Sequence, residues 1–449
     1  MLWILQLIGL THVNTGLKIQ GDPARGRSLP TRPACIGVFS AVKTRPVAVM
    51  VEAGCCVTVV ALGLTTSAFS PAPRQAANGK IGPAVHQIGT DKLTVHPLAV
   101  TAAPRHSLFR TARRVLCLAV GLAALLPSVS RALDHTQIAV VVNTWDPLSV
   151  EIGEYYAEQR RIPPQNVIRV GFPPGKTAMT AKEFGALKVW VDEQTLPGVE
   201  AYALTWAAPY RVECMSITSA FAFGFSPSYC AEGCGPTQPS PYFNVPGRQP
   251  FTQSGIRPAM VLAAASFAEA KALIDRGVKS DGLFPNGTTY LLSTSDSARN
   301  VRAVSYPLVE KMLKGSRLRV RTLEQDVLTD AKDVLFYFTG KQAVEGLETL
   351  RFMPGAVADH VTSFGGAITS RGGQMSALRW LEAGASGSYG TVVEPCNLPE
   401  KFPFPPVVIG RYLRGETLIE AYWKSVLMPG QGIFIGEPLA TPFRRRGAP

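Results

Sequence analysis

The order of apolar and polar positions predicts regular structure from about residue 137 onward. Ile138-Ala-Val-Val-Val-Asn143 is an apolar, mostly β-branched run, which is typical of a strand buried on both faces of a sheet. Asp146-Pro147 then offers a helix N-cap with proline at the first helical position, and the helix is expected to extend to Arg161. Pro163-Pro164 ends this helix, and Asn166–Val170 is the next predicted strand.

Further apolar runs predict more strands, and apolar residues between them keep helical spacing. The predicted strands are Ala201–Thr205, Thr289–Leu292, Arg319–Leu323, Val334–Phe338, Ala356–Thr362 and Gly387–Val393. The helical sets are Val301, Val304, Leu308, Val309, Met312 and Leu313, followed by Met375, Leu378 and Leu381. Because strands alternate with helices, we predict a single α/β domain over residues 133–443, with a mostly parallel sheet flanked by helices. Residues 444–449 form a basic tail.

The stretch at residues 209–258 interrupts this alternation. It is rich in Pro, Gly, Ser and aromatic residues without a sustained period, which predicts an inserted loop or covering lid. It carries Cys214, Cys230 and Cys234, and Cys396 is the fourth cysteine of the predicted domain. In an exported protein, four cysteines suggest two disulfides with three possible pairings. Cys230 and Cys234 also suit half of a metal site, but without a second cysteine pair we expect no metal.

The positive charge of the chain is concentrated in its front third. The formal net charge of +13 comes from 45 Lys and Arg against 32 Asp and Glu, and residues 1–132 hold 14 of the basic residues but three of the acidic ones. The remainder therefore has 31 basic against 29 acidic residues. Since nucleic-acid binding needs clustered positive charge, we expect no nucleic-acid partner for the domain. With 46% hydrophobic and 17% charged residues, the chain is also neither disordered nor a coiled coil.

Residues 105–132 have the pattern of a secretory signal peptide. Basic residues from Arg105 to Arg114 precede the apolar run Val115–Leu126, and Ser130 and Ala132 occupy the small positions that signal peptidase reads. We therefore place cleavage after Ala132, with an uncleaved anchor as the alternative. The upstream residues 1–104 are interpreted as disordered or as the product of a start assigned too early; the alternative is a leader with a membrane segment at 53–69.

Long motifs in the domain resemble an exported bacterial family. They are Val140–Asn143, Tyr155–Pro163, Phe336–Gly340, Pro354–Gly366, Gln374–Asn397, Lys401–Pro405, Gly415–Ser425 and Ile435–Leu439. Together they resemble an uncharacterised family that occurs in genomes encoding the exosortase/PEP-CTERM protein-sorting system. The resemblance covers nearly all of residues 136–443 and implies export, periplasmic or extracellular, to the bacterial cell envelope. It implies no particular reaction.

The carboxyl-terminal third also resembles gingipain-type peptidases of the caspase-like fold. The resemblance lies in the order of strand, Gly turn, strand, small-residue turn, helix and Gly-rich strand, closed by Gly436-Glu-Pro-Leu439. In those peptidases a His follows the Gly turn and a nucleophilic Cys ends the next strand. Here Lys341 follows Gly340, and Ser363 or a neighbour occupies the second turn. The resemblance therefore implies a caspase-like core without the peptidase residues.

Cys396 and His360 are the candidates for catalysis. A thiolate nucleophile needs a neighbouring base, and His360 is the only His beyond residue 135. Glu394 or Asp359 would orient the imidazole. The alternative is that Cys396 closes a disulfide to the insertion at 209–258 and that His360 is a satisfied core side chain.

The predicted binding cleft lies under the insertion, between Asp359–Gly366 and Glu394–Asn397. Thr362-Ser-Phe-Gly-Gly366 suits a tight turn with exposed backbone N–H groups for a polar ligand. The predicted binding residues are Asp359, Ser363, Gly365, Gly366, Gln374, Glu394 and Asn397. A pair of carboxylates from the carboxyl-terminal third is a less favoured candidate for glycoside hydrolysis. Glu416 and Glu420 lie four residues apart on a predicted helix and are interpreted as a solvated face. The aromatic residues Trp380, Tyr389, Tyr412, Tyr422 and Trp423 are expected in the core.

The leading hypothesis is a non-catalytic envelope protein whose cleft binds a polypeptide or a polysaccharide. The rival is a cysteine hydrolase or peptidase that uses Cys396 with His360. No phosphate-binding P-loop and no Gly-x-Gly-x-x-Gly follows the first strand, so we expect no nucleotide and no cofactor. The sequence does not specify the partner or the oligomeric state.

Overall fold

The computed structural model describes residues 132–370 and 372–445. The predicted upstream segment 1–104 lies outside the described residues, as do the predicted signal peptide except Ala132 and the last four residues of the basic tail. Within the described residues, no helix has both the length and the apolar character needed to cross a bilayer.

The first strand, helix and strand form as the sequence predicts. Strand β1 spans Ile138–Asn143 with all six residues buried, and helix α1 spans Pro147–Arg160. The Asp146 side chain caps this helix by accepting a hydrogen bond from the N–H of Leu148 at 3.1 Å, because the first N–H groups of a helix have no partner inside it. A 3-10 turn at Pro164–Asn166 leads into β2 at Val167–Val170.

The remaining elements follow in chain order. The further strands are β3 (Ala178–Met179), β4 (Ala201–Leu204), β5 (Arg211–Val212), β6 (Met215–Ser216), β7 (Ala259–Val261), β8 (Thr288–Ser293), β9 (Arg319–Glu324), β10 (Val334–Gly340), β11 (Phe352–Val361), β12 (Gly387–Thr391) and β13 (Gly432–Gly436). The further helices are α2 (Ala181–Gln194), α3 (Ile217–Phe223), α4 (Pro250–Ser254), α5 (Phe267–Ser280), α6 (Tyr306–Leu313), α7 (Leu378–Ala383), α8 (Pro405–Leu413) and α9 (Leu418–Trp423). Short 3-10 turns lie at Pro227–Tyr229, Asn300–Ser305, Leu347–Thr349 and Pro399–Lys401.

A ten-stranded sheet organises the described residues. Its strand order is β2-β1-β4-β7-β13-β12-β11-β10-β8-β9, and a small second sheet has the order β3-β5-β6. In the large sheet β12 and β13 are antiparallel, and the other recorded neighbours are parallel. This confirms the predicted α/β class with a mostly parallel sheet flanked by helices.

The helices cover both faces of this sheet. Val140 and Val142 of β1 belong to one hydrophobic cluster, whereas Ala139 and Val141 belong to another, because successive side chains of a strand point to opposite faces. Residues of α1, α6, α8 and α9 complete the first cluster, and residues of α2, α3 and α7 complete the second. The sheet is therefore the middle of three layers, which explains why its strands are apolar runs.

The insertion at 209–258 has more regular structure than the sequence predicts. It contains β5, β6, α3 and α4, and six of the seven residues of α3 are buried. Its tertiary contacts explain the difference: Ser216 caps α3 by accepting from the N–H of Ser219 at 3.0 Å, and Ser219 Oγ donates to the Pro429 carbonyl at 2.7 Å. The expectation of a segment without secondary structure was wrong.

Two disulfides fix the insertion. Cys214 pairs with Cys230, with Cα atoms 5.7 Å apart. Cys234 pairs with Cys396, with Cα atoms 5.3 Å apart across a sequence separation of 162 residues. The prediction that Cys396 joins the insertion is therefore confirmed.

Candidate functional site

The turn after β11 is held by the side chain of Gln374. Its Oε1 atom accepts hydrogen bonds from Thr362 Oγ1 at 2.7 Å and from the N–H of Phe364 at 2.8 Å. The carbonyl of Ser363 accepts from Thr391 Oγ1 at 2.9 Å. These bonds fix the turn against the end of β12 and leave the Ser363 side chain half-buried.

Gly365 and Gly366 allow this turn to lie against the backbone of β12. A Cβ atom at Gly366 would lie 2.6 Å from the Gly390 carbonyl, and one at Gly390 would lie 2.3 Å from the Gly365 carbonyl carbon. The N–H of Gly366 donates to the Thr391 carbonyl at 2.8 Å. The two glycines therefore serve close packing, and the N–H groups of Phe364 and Gly366 are already bonded rather than free for a ligand as we expected.

Asp359 lies inside the core, not in a cleft. It forms a buried ion pair with Arg302 and accepts from Tyr422 Oη at 3.4 Å. Arg302 also donates to the carbonyls of Thr339 at 3.1 Å and of Asp359 at 3.2 Å. Burial raises the pKa of Asp359 and the Arg302 guanidinium opposes that rise. The predicted role of Asp359 in binding is not supported, since the side chain is fully buried.

His360 is a satisfied core side chain, as the alternative interpretation expects. Its Nδ1 atom accepts from Trp380 Nε1 at 3.0 Å, so Nε2 carries the proton and donates to the Met375 carbonyl at 3.1 Å. Burial lowers the pKa of His360 to about 3. The imidazole is therefore neutral near pH 7, and both of its nitrogens are occupied.

Cys396 is in a disulfide with Cys234 and so has no thiol to ionise. Its N–H donates to Glu394 Oε1 at 2.8 Å, and Gln431 Nε2 donates to the Glu394 carbonyl at 3.0 Å. Glu394 and Asn397 are exposed beside the disulfide. Because Cys396 and His360 are each bonded to other residues, the arrangement does not support the predicted catalytic dyad.

Lys341 and Ser363, the two positions compared above with the His and Cys of the peptidases, follow adjacent strands of the sheet. β10 ends at Gly340, which is paired with Val361 of β11, so Lys341 and the turn containing Ser363 leave the sheet side by side. Lys341 Nζ is bonded to Asp326 Oδ2 at 3.0 Å. Among the described residues no histidine contacts Ser363, which leaves its hydroxyl without a base.

A groove of about 1020 Å³ lies at the carboxyl ends of four strands. We call it the strand-end groove, and its lining comes from the segments that follow β4, β7, β10 and β11. The lining residues are Ala207, Ala264, Ala265, Glu269, Ala343, Val344, Ile368, Thr369, Ser370, Gly372, Gly373, Gln374, Met375, Ser376, Leu378, Arg379 and Glu382. Of the predicted site residues, Gln374 lines this groove.

The lining of the strand-end groove combines apolar and charged residues. Glu269 stands in the first turn of α5 and accepts from the N–H of Ala265 at 2.9 Å. Arg379 and Glu382, which also line the groove, form an ion pair. Gly372 and Gly373 are exposed, and a Cβ atom added at either would meet nothing within 4 Å. The groove therefore offers open backbone and charges of both signs.

A second cavity of about 610 Å³ lies beside the edge strand β2, and we call it the aromatic pocket. Trp145 and Trp190 line it with 60% and 50% of their surface exposed. Trp190 Nε1 donates to the Arg169 carbonyl at 3.2 Å. The Trp145 ring lies against Gly171, where a Cβ atom would be 2.7 Å from Nε1. A hydrogen bond thus holds the Trp190 indole and the Trp145 indole packs against backbone, although both are exposed.

Arg169 borders the aromatic pocket and also a neighbouring cavity on the α1 face of β2. It pairs with Val142, so its side chain leaves this edge strand on the α1 face. Arg169 lines the pocket and is exposed, and within residues 132–370 and 372–445 no hydrogen bond or ion pair holds its guanidinium. Glu183 does not compensate it, because Glu183 is engaged with the N–H of Thr180 at 2.8 Å and with Lys176 at 3.6 Å. The pocket is therefore suited to a ligand with a flat apolar face, and the exposed Arg169 at the adjoining sheet edge suits negative charge on a part of the ligand that extends beyond the pocket.

The aromatic and acidic residues of the last third are largely core. The five aromatic residues named from the sequence are fully buried, as expected. Glu416 and Glu420 are each 1% exposed, so the interpretation as a solvated face was wrong: Glu416 binds Lys424 at 2.7 Å and Arg411 at 3.3 Å, while Glu420 caps α9. Glu437 is buried and forms an ion pair with Arg160.

The structure thus separates the predicted site residues. Asp359 and His360 are core residues, Ser363 and the two glycines form a packed turn, and Glu394 and Asn397 lie exposed beside a disulfide. The two exposed tryptophans were missed from the sequence. The available signal was Gly171, which directly follows the predicted strand Asn166–Val170.

Comparisons of this chain with protein family models, curated proteins and solved structures find no match. Among the described residues no group of three or more His, Cys, Asp or Glu is placed to hold a metal ion.

Proposed function

We propose that this protein is exported to the cell envelope and binds an extended polypeptide in the strand-end groove without catalysing a reaction. Two disulfides support export, since such bonds persist in oxidising compartments. The disulfide of Cys396 and the neutral, doubly bonded His360 support a non-catalytic role.

The chemistry of the strand-end groove carries the choice of a polypeptide. Open backbone at Gly372 and Gly373 suits main-chain hydrogen bonds to an extended segment. Glu269 and the Arg379–Glu382 pair supply charged groups for its side chains, and the alanines of the lining leave room for small apolar ones. Among the described residues the lining contains no Phe, Tyr or Trp, so this part of the groove has no flat surface on which a sugar ring would stack.

Two alanine-to-tryptophan variants test this proposal. Ala343 and Ala186 are both exposed, and they line the strand-end groove and the aromatic pocket respectively. A peptide selected from a phage-displayed random library on the purified protein should bind the Ala343→Trp variant at least about tenfold more weakly. Its affinity for the Ala186→Trp variant should not change. Equal affinity for the wild-type protein and the Ala343→Trp variant would refute the groove as the polypeptide site.

The aromatic pocket favours a second candidate function, which is binding of an acidic polysaccharide. Fixed, exposed indoles offer apolar faces to the C–H side of a pyranose ring at low entropic cost. The free Arg169 guanidinium matches a uronate carboxylate, which it can bind through two parallel hydrogen bonds. Trp190 occupies the outward carbonyl of Arg169, so a peptide cannot add as a further strand at that point of the β2 edge.

Titration with a galacturonate oligosaccharide tests the second candidate. Trp145→Ala and Arg169→Gln should each weaken binding about tenfold or more. Arg321→Gln, on the opposite edge strand β9 and likewise exposed, is the matched control and should bind as the wild type does. A neutral maltose oligosaccharide that binds equally well would remove the role assigned to Arg169.

A further inference from the structure

The first residues of the described domain are anchored on a distant helix. Leu133 is 1% exposed and belongs to the main hydrophobic cluster. Its backbone nitrogen donates to Glu420 Oε2 at 3.2 Å, across 287 residues of sequence. Both groups are buried, so this contact fixes the entry of the chain against α9.

The carboxylate of Glu420 is only half satisfied. Its Oε2 atom accepts from three donors: the N–H of Thr417 at 2.8 Å, Thr417 Oγ1 at 2.7 Å and the Leu133 nitrogen. Its Oε1 atom is buried and has no hydrogen-bond partner among the described residues. Buried polar atoms are nearly always bonded, because an unpaired one keeps its full desolvation cost. The free oxygen therefore points to a missing donor.

No cation neutralises Glu420 by direct contact in the described part of the chain. The nearby Lys424 Nζ is bonded to Glu416 at 2.7 Å, and Arg411 also binds Glu416 at 3.3 Å. Burial raises the pKa of Glu420, and the charge of Lys424 opposes that rise. The site thus lacks both a hydrogen-bond donor and a positive charge, and a single ammonium group would supply both.

We infer that cleavage between Ala132 and Leu133 creates that group, and that the α-ammonium of Leu133 binds the carboxylate of Glu420. Hydrolysis of this peptide bond consumes one water, leaves a carboxylate on Ala132 and frees the amine of Leu133, which takes up a proton. A backbone amide has one N–H and is neutral, whereas an α-ammonium has three N–H groups and a positive charge. It can keep the bond to Oε2 and also reach Oε1.

This inference rests on the proposed export, because a signal peptidase would perform the cleavage. It gives the cleavage a structural consequence: the precursor retains a buried carboxylate without a counter-charge, and the processed chain does not. Folding is therefore more favourable after processing than before it, which suits a chain that crosses a membrane unfolded.

The test uses the full chain expressed with export, and the recovered protein is analysed by intact mass and N-terminal sequencing. We expect Leu133 as the first residue. The Glu420→Gln variant and a variant with one alanine inserted between Ala132 and Leu133 should each lower the melting temperature by about 5 °C or more. Because both changes disrupt the same ion pair, the melting temperature of the double variant should fall no further than that of either single variant. Glu310→Gln, at an exposed glutamate on α6, is the matched control and should melt as the wild type does.

A pH series separates the ion pair from a simple packing contact. Pairing raises the pKa of the α-ammonium above its unfolded value of about 8, so its stabilisation is complete below pH 8 and disappears as the pH rises through the folded value. The difference in melting temperature between wild type and Glu420→Gln should therefore shrink at alkaline pH. A chain that is recovered unprocessed would overturn the export premise. A processed chain with a first residue other than Leu133 would overturn the cleavage site and with it the ion pair. Cleavage at Leu133 with unchanged melting of the Glu420→Gln and insertion variants would overturn the ion pair alone.

Discussion

Glu416 and Glu420 lie four residues apart and are equally buried, yet their carboxylates are compensated in different ways. Glu416 contacts two cations, Lys424 and Arg411, within 3.3 Å. Glu420 contacts backbone and hydroxyl donors instead, and one of its oxygens has no partner in the described part of the chain. The difference shows that burial of a carboxylate does not reveal how it is compensated, and that the neighbours on other elements decide this.

The largest effect on stability should come from removing the carboxylate of Glu416, which two cations compensate. Glu416→Ala leaves the buried Lys424 ammonium without a bonded counter-ion, and we expect the free energy of unfolding to fall by about 3–5 kcal/mol. Urea unfolding followed by circular dichroism measures the change. The double variant Glu416→Ala/Lys424→Met should recover a large part of the loss; if it does not, the lost interaction is packing rather than charge.

The disulfide between Cys234 and Cys396 should have the next largest effect on stability. The insertion contacts both cations that bind Glu416, because the N–H of Asn244 donates to the Lys424 carbonyl at 2.9 Å and Arg411 Nε donates to Asn244 Oδ1 at 3.3 Å. Cys396→Ser removes the covalent link between the insertion and the segment after β12, and the free energy of unfolding measured in urea should fall by about 2–4 kcal/mol. Any enzymatic activity assigned to the protein should persist in this variant, whereas its loss with retained folding would restore the hydrolase hypothesis.

The buried, neutral His360 makes the stability of the folded protein depend on pH. The pKa of His360 is about 3 in the folded protein and about 6.5 in the unfolded chain. Between those values only the unfolded chain takes up the proton, so stability is complete above pH 6.5 and falls by about 1.4 kcal/mol per pH unit as the pH drops towards 3. Unfolding curves at pH 7, 6 and 5 should show a smaller decline for His360→Gln than for the wild type. The exposed His135→Gln is the control, and an identical decline in all three proteins would contradict the assignment.

The smallest effect should come from an exposed ion pair. Lys271 and Asp275 lie four residues apart on α5, 2.6 Å between Nζ and Oδ2, with about half of each side chain exposed. Lys271→Ala should leave the urea midpoint within error of the wild type, because water competes for both charges. A loss comparable to that of Glu416→Ala would mean that position in the fold, not burial, sets the energetic value of these pairs.

Much of the fold follows from local pattern, and the failures have specific causes. The apolar runs that became β1, β8 and β10 were recognisable because strands covered on both faces need no polar residues. The strands Ala259–Val261 and Gly432–Gly436 were missed, because three residues and a run between glycines carry no period. The four-residue spacing of Glu416 and Glu420 resembled an exposed face, since the sequence does not show that Arg411 and Lys424 fold back to pair with Glu416 inside the core.

The candidate site was harder to predict than the fold. The turn containing Ser363 was placed correctly at a strand end, but local sequence does not show that Gln374 and Thr391 occupy its backbone groups. Cys396 illustrates the same limit: its role depends on Cys234, which is 162 residues away. Alanines and glycines make up six of the 17 residues named in the lining of the strand-end groove, and their lining role appears only when four separate segments meet.

Both outer strands of the ten-stranded sheet are polar on their free side. At one end, β9 exposes Arg319, Arg321 and Glu324, and at the other end the four-residue β2 exposes Arg169. Charged side chains along a free edge oppose the stacking of identical sheets into fibrils, since each added copy would bring like charges together without water. The charged edges therefore disfavour edge-to-edge aggregation of a wide sheet with open ends.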